Sequence, residues 1–240
     1  MLKKHSEIIN ELECVIVRDA GIQAPTVAVI LCHGFGAPGQ DLVSLAREFF
    51  SVEEKLANAV FVFPAAPLEL EFGYDSRAWW MIDMEKIQRL AMQGLTREMT
   101  HESPEGLPHC RELINGLIDH VSREFSLPAE KIVIGGFSQG SMLATDVVLR
   151  HPETLGGLIV WSGALICESE WTAAAKKQSP LTVVQTHGTL DMILPVAGAR
   201  MLHEMLTKAD HFVEYQEFEG QHTISAGGLT AAVALIARLV

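Results

Sequence analysis

Lys131-Ile132-Val133-Ile134-Gly135-Gly136-Phe137-Ser138-Gln139-Gly140-Ser141-Met142-Leu143 is the stretch from which the rest of the chain is read. An apolar, β-branched run of strand length passes through two glycines and a serine into a segment patterned as a helix as far as Arg150. A run that is apolar at every position suits a strand buried on both faces, as in a parallel sheet covered by helices. Working outward, similar runs predict strands over 14–17, 27–31, 60–63, 131–134, 157–161, 181–185 and 212–218. Helical patterns fall over 42–50, 109–125, 139–150, 196–208 and 229–239. In 109–125, Leu113, Leu117 and Val121 recur at four-residue steps beside Ile114 and Ile118. This alternation predicts an α/β fold with a mostly parallel central sheet flanked by helices, in one domain over 1–240.

One region breaks the alternation. From Pro64 to Pro108 the chain carries Pro-Ala-Ala-Pro, then Arg77-Ala78-Trp79-Trp80, then a Met-rich amphipathic segment at 84–92. So long a connection is expected to be a cap over the active site or an ordered surface excursion. The remaining composition narrows the field. Apolar residues are 48% and charged residues 20%, which suits a packed globular protein. A net charge of −12 argues against nucleic acid and anionic membrane surfaces as partners. No run approaches the roughly 18 apolar residues of a membrane span, so no stable membrane insertion is expected. Cys14, Cys32, Cys110 and Cys167 form no C-x-x-C pair and read as buried thiols. With no signal-peptide pattern at the N-terminus, a cytoplasmic location is expected. No H-E-x-x-H or cysteine cluster offers a metal site, and neither metal nor cofactor is expected.

Gly136-Phe137-Ser138-Gln139-Gly140 sits where a strand pattern meets a helix pattern, the context in which G-x-S-x-G forms a sharp turn presenting a nucleophilic serine. The flanking glycines let strand and helix approach, and the helix N-terminus favours developing negative charge. A serine hydroxyl is a weak nucleophile, so it needs a base, and the base needs an orienting carboxylate. In the α/β-hydrolase order of Ser, acid, His, the acid is Asp191, in the loop beyond the 181–185 strand. The base is His222, between the last strand and the last helix, whereas His203 and His211 fall within a helix and at a strand start. The oxyanion hole is assigned to the backbone N–H groups of Phe35, in the glycine-rich loop after 27–31, and of Gln139, after the nucleophile. His33, ending that strand, reads as a residue that orders the loop. Leu68, Leu70, Phe72 and Trp80, with Ile193 and Leu194, are expected to bind the substrate's acyl part, the alternative being that they are core.

Taken together, these segments resemble the phospholipase/carboxylesterase family, which includes the acyl-protein thioesterases. The resemblance rests on His33-Gly34-Phe35-Gly36 with Gln40-Asp41-Leu42, Phe61 to Pro67, Arg77 to Trp80, Gly135 to Gly140, His187 to Asp191 with Pro195, and Gly220 to His222. It implies an α/β-hydrolase fold and a serine esterase without cofactor, acting on a small-molecule ester or an acylated substrate. It also implies the same triad and hole, with Trp80 at an aromatic position near the cleft. The length of 80–105 resembles a bacterial branch of the family. A lactone hydrolase or peptidase on the same scaffold and a non-catalytic binding protein are the rival readings, and either a monomer or a homodimer is compatible with the sequence.

Overall fold

The computed structural model describes residues 1–71, 73, 75–83, 89 and 99–240. Their eight-stranded sheet has the spatial order β1-β2-β4-β3-β7-β8-β9-β10. The strands are β1 (Leu2–Ile9), β2 (Leu12–Asp19), β3 (Val27–Cys32), β4 (Ala59–Pro64), β7 (Ile132–Phe137), β8 (Gly157–Trp161), β9 (Thr182–Gly188) and β10 (Phe212–Phe218). β5 (Leu68–Glu69) and β6 (Arg77–Ala78) form a separate antiparallel ribbon. From β4 to β10 all neighbours run parallel; β1 and β2 pair antiparallel at one edge. This is the α/β-hydrolase fold in a single domain, mostly parallel as the apolar runs predict.

Every residue of β3, β4 and β8 is buried. Alternate residues feed two cores, as the two-residue strand period requires. Ala28, Ile30, Val60, Val62, Ile132 and Ile134 face α2 (Leu107–Phe125), α3 (Gln139–Arg150) and α5 (Val196–Lys208). Val27, Val29, Leu31, Phe61, Phe63 and Val133 face α1 (Ser44–Val52) and α6 (Ala226–Ala237). The remaining helix among the described residues, α4 (Glu168–Ala175), buries Trp171 on the first of these cores.

The ranges of β8, β10, α3 and α5 match those read from sequence. Three differences have physical causes. β1 is an extra strand: Asn10 and Glu11, both at positive φ (47° and 69°), turn the chain so that Ile9 pairs with Leu12. Its mostly exposed, polar residues are held by the backbone ladder and give no apolar pattern. β9 continues to Gly188, three residues past its predicted end, because His187 and Gly188 stay in register with Glu217 and Phe218. The last helix starts at Ala226, where the Ser225 hydroxyl accepts from the Gly228 N–H at 3.0 Å, a side-chain cap. Within the 64–108 region expected as a cap or surface excursion, the Met-rich 84–92 segment lies almost wholly outside the described residues.

One buried charge cluster fixes α3 in place. Asp146 is fully buried and accepts from Arg111 Nη1 on α2 (2.6 Å), Arg150 Nε (2.8 Å) and Trp171 Nε1 on α4 (2.8 Å). Removing the carboxylate would leave two guanidinium groups and an indole N–H without their acceptor. Asp146→Ala is expected to lower unfolding stability by about 3 kcal/mol. Urea titration checks this; a loss below about 1 kcal/mol, the scale of an exposed ion pair, would contradict it.

Candidate active site

The turn between β7 and α3 leaves no room for side chains on its inner face. A Cβ at Gly136 would lie 2.4 Å from the Cys32 carbonyl oxygen, and one at Gly140 would lie 2.1 Å from the same atom. Glycine at both positions is therefore a steric requirement. Ser138 sits between them at φ 55°, ψ −120°, a backbone conformation a side chain rarely adopts. Its amide donates to the Trp161 carbonyl on β8 (2.9 Å), and its own carbonyl accepts from the Ser141 hydroxyl (2.7 Å) and the Met142 amide (3.2 Å). The hydroxyl is thus presented at the head of α3, whose first N–H groups have no intrahelical acceptor.

His222 reaches this hydroxyl from the opposite side of the sheet's carboxyl end. Its Nε2 lies 2.8 Å from Ser138 Oγ, and its Nδ1 lies 2.6 Å from Asp191 Oδ2. With a carboxylate at Nδ1, that nitrogen carries the proton, and Nε2 is left to accept from the serine. The loops bearing Asp191 and His222 are sewn together by backbone bonds, Thr189 N–H to Phe218 O and Leu190 N–H to Gly220 O, both 2.9 Å. A Cβ at Gly188 would lie 2.3 Å from Gln221 O, so this seam too excludes a side chain. From β8, the Ser162 hydroxyl donates to Thr223 O at 3.1 Å and anchors the histidine loop.

Asp191 is saturated with donors. Oδ1 accepts from the Ile193 and Leu194 amides (2.9 and 2.8 Å), while Oδ2 faces His222 Nδ1 and His187 Nε2 (3.2 Å). Burial alone would raise its pKa, but hydrogen bonds from His187, His222 and the Leu194 amide outweigh it and hold the carboxyl well below the usual range.

The Phe35 loop is pinned by three hydrogen bonds to Ser76 and Arg77. Gly36 N–H donates to Arg77 O (2.8 Å), Arg77 N–H to Ala37 O (3.1 Å), and the Ser76 hydroxyl to Gly36 O (2.8 Å). Gly36 is at φ 78°, where glycine carries no penalty. His33 is buried, with Nδ1 donating to Gly34 O (2.8 Å) and Nε2 accepting from the Ala66 amide (3.0 Å). Burial lowers its pKa, partly offset by the Gly34 bond. It orders the loop and lies outside the Ser138–His222–Asp191 chain. Gln139 has a part not legible beforehand. Its fully buried side chain accepts from Trp79 N–H (2.9 Å) and donates to Trp80 O (2.8 Å), tying the 77–80 strip to α3.

A cavity of about 270 Å³ opens beside Ser138 and His222. Ile193 and Leu194 line it, together with Phe35. Trp80 is buried in the core and Leu70 follows the 68–69 ribbon strand; neither is among the described lining residues, and Phe72 lies outside the described residues. The lining residues missed from sequence include the apolar Phe137, Met142, Ile82 and Met99 and the carboxylate of Asp41. Met142 was open to inference, since a helical residue four beyond Ser138 shares its face. Among the described residues no group of His, Cys, Asp and Glu could hold a metal ion.

The family model described as phospholipase/carboxylesterase matches residues 13–239. The chain belongs to that family. Acyl-protein thioesterase 1 of Eremothecium gossypii is 30% identical, over 90% of this chain and 89% of that protein. Acyl-protein thioesterase 1 homolog 1 of Dictyostelium discoideum is 30% identical over 72% of each. Among solved structures, esterase PE8 superposes with a TM-score of 0.78 at 25% identity, covering 95% of this chain and 99% of its own. Two of the family's curated members being a fungal and an amoebal protein, the bacterial branch expected from the length of 80–105 is not established.

The Asp191 hydrogen bonds predict a pH effect on stability. Its folded-state pKa is depressed, so its contribution is complete above the unfolded value of about 3.9 and is lost as pH falls towards the folded one. The stability drop between pH 6 and pH 3 is expected to be smaller in Asp191→Asn than in the parent, by urea titration at both pH values. Equal drops in the two proteins would contradict it.

Proposed function

We propose that this protein is a serine esterase that hydrolyses small or acyl-chain carboxylic esters through an acyl-enzyme on Ser138. The observation that carries the reading is the unbroken hydrogen-bond chain Ser138 Oγ–His222–Asp191, with 2.8 and 2.6 Å links, opening onto an apolar cavity. In this mechanism His222 Nε2 takes the hydroxyl proton as Oγ attacks the acyl carbon, and Asp191 stabilises the imidazolium. The backbone N–H groups of Phe35 and Gln139 receive the oxyanion. His222 then returns the proton to the leaving alcohol or thiol, and water repeats the sequence on the acyl-enzyme.

Substrate size follows from the cavity. At about 270 Å³ it stands at the small end of ligand pockets, which run from roughly 300 to 1,000 Å³. A short or medium acyl chain fits against Ile193, Leu194 and Met142. Thioester hydrolysis is the second reading, favoured by the family membership and by relatives named acyl-protein thioesterases; lysophospholipid is a third acyl substrate of the same chemistry. The four buried free cysteines are compatible with a reducing, cytoplasmic setting, and no helix among the described residues is long and apolar enough to cross a membrane.

Hydrolysis of p-nitrophenyl esters from acetate to long chains, beside matched thioesters, tests the reading. Turnover is expected to peak at short to medium chains, and Ser138→Ala should fold normally and lose about 10³-fold or more. Near-parental turnover in Ser138→Ala would overturn it. A clear preference for the thioesters would favour the second reading.

A further inference from the structure

A second histidine stands behind the first. His187, on the last turn of β9, has a side chain with no solvent exposure. Its Nε2 lies 2.7 Å from the Leu194 carbonyl oxygen and 3.2 Å from Asp191 Oδ2, while its Nδ1 is buried with no hydrogen-bond partner. Two acceptors at Nε2 and none at Nδ1 fix the tautomer: the proton is on Nε2, shared between a backbone carbonyl and the carboxylate. Asp191 Oδ2 is therefore approached by two imidazole nitrogens, at 2.6 Å by the histidine that touches serine and at 3.2 Å by a histidine that does not.

We propose that His187 is a positioning residue for the Asp191–His222 pair, holding the carboxylate in line with His222 and setting how much of its charge His222 feels. The inference rests on the triad reading proposed for Ser138, His222 and Asp191. Its geometric half is a clamp: by binding Leu194 O as well as Asp191, His187 closes the 188–194 turn from the strand side, while the Ile193 and Leu194 amides close it from the other. Its electrostatic half comes from sharing. A donor on Oδ2 disperses the negative charge that would otherwise stabilise the His222 imidazolium, as second hydrogen bonds to a ligand's carboxylate do elsewhere. Removing that donor strengthens the hold on the imidazolium, and His222 then stops acting as a base at a higher pH.

The other groups around this pair leave the direction unchanged. Across from His187 on β10 stands Glu217, in register with it. That carboxylate is forked by Arg200 from α5 (2.7 Å to each oxygen) and bound by the Tyr215 hydroxyl (2.9 Å), so its charge is matched locally. On the His222 side, Phe137 packs its ring at 4.7 Å and brings no charge, while the Asp41 carboxylate lines the same cavity and is common to the parent and both His187 variants.

The test is the pH profile of kcat/KM for p-nitrophenyl acetate in the parent, His187→Gln and His187→Phe, with imidazole ¹⁵N NMR of the parent protein. A Gln amide can donate from the Nε2 position; a Phe ring cannot. His187→Phe is expected to lose roughly tenfold in kcat/KM, as when one hydrogen bond to a charged group is removed. Its acid limb should move up by about half a pH unit. His187→Gln should restore the limb. The parent's His187 should show a bare Nδ1 and a protonated Nε2. A folded His187→Phe whose acid limb coincides with the parent's would overturn the inference, since a purely structural residue would change amplitude alone. Should His187→Phe not fold, the NMR decides: a proton on Nδ1 breaks the proposed contact and ends it. An unshifted limb beside an inactive Ser138→Ala removes only the role of His187, whereas an active Ser138→Ala removes the triad itself.

Discussion

At the carboxyl end of β7 the backbone of α3 passes so close to the end of β3 that a methyl group at Gly136 or Gly140 would overlap the Cys32 carbonyl oxygen. Much of the site's geometry depends on that contact. It forces the chain through a turn in which Ser138 takes a positive φ and its side chain has one way to face. It brings the head of α3 against the end of β3 and the loop that leaves it. Strain at Ser138 is held by bonds on both sides of the turn, donated to Trp161 O on β8 and accepted from Ser141 and Met142 on the helix. A residue strained in this way needs such a frame, because an unsupported turn would relax to an ordinary one.

The same logic of close backbone approach recurs where the acid and base loops meet. Gly188 abuts the carbonyls of Gly220 and Gln221, and two backbone hydrogen bonds run across the seam. Because β9 and β10 are parallel neighbours in register, their trailing loops leave the sheet side by side. Asp191 and His222, 31 residues apart, then need only a short reach to meet at 2.6 Å. Four donors on the Asp191 carboxyl keep it ionised and oriented, and that in turn fixes which nitrogen of His222 is free to accept a proton.

Much of this was legible in the chain itself. A strand buried on both faces leaves a continuous apolar run, and G-x-S-x-G between such a run and a helix leaves few choices. What escaped depends on information no single residue carries. β1 is polar because its stability comes from hydrogen bonding to β2, so there was no apolar stripe to find. The family resemblance puts Trp80 near the cleft, with core packing as the alternative. In the structure it is buried in the core, and the Gln139 side-chain amide binds the Trp79 N–H and the Trp80 carbonyl across some 60 residues of chain. His187 was visible only as part of a motif; its second part needs β9 to extend to Gly188, beyond the end that the apolar pattern suggests.

Covalent labelling with a fluorophosphonate tests the central claim most directly, since such a reagent is taken up by a serine whose proton is drawn off and whose oxyanion is met. The account predicts one adduct per chain, on Ser138, with the rate of labelling rising with pH as His222 loses its proton. A folded protein that takes no label, or takes it on a serine other than Ser138, would contradict it.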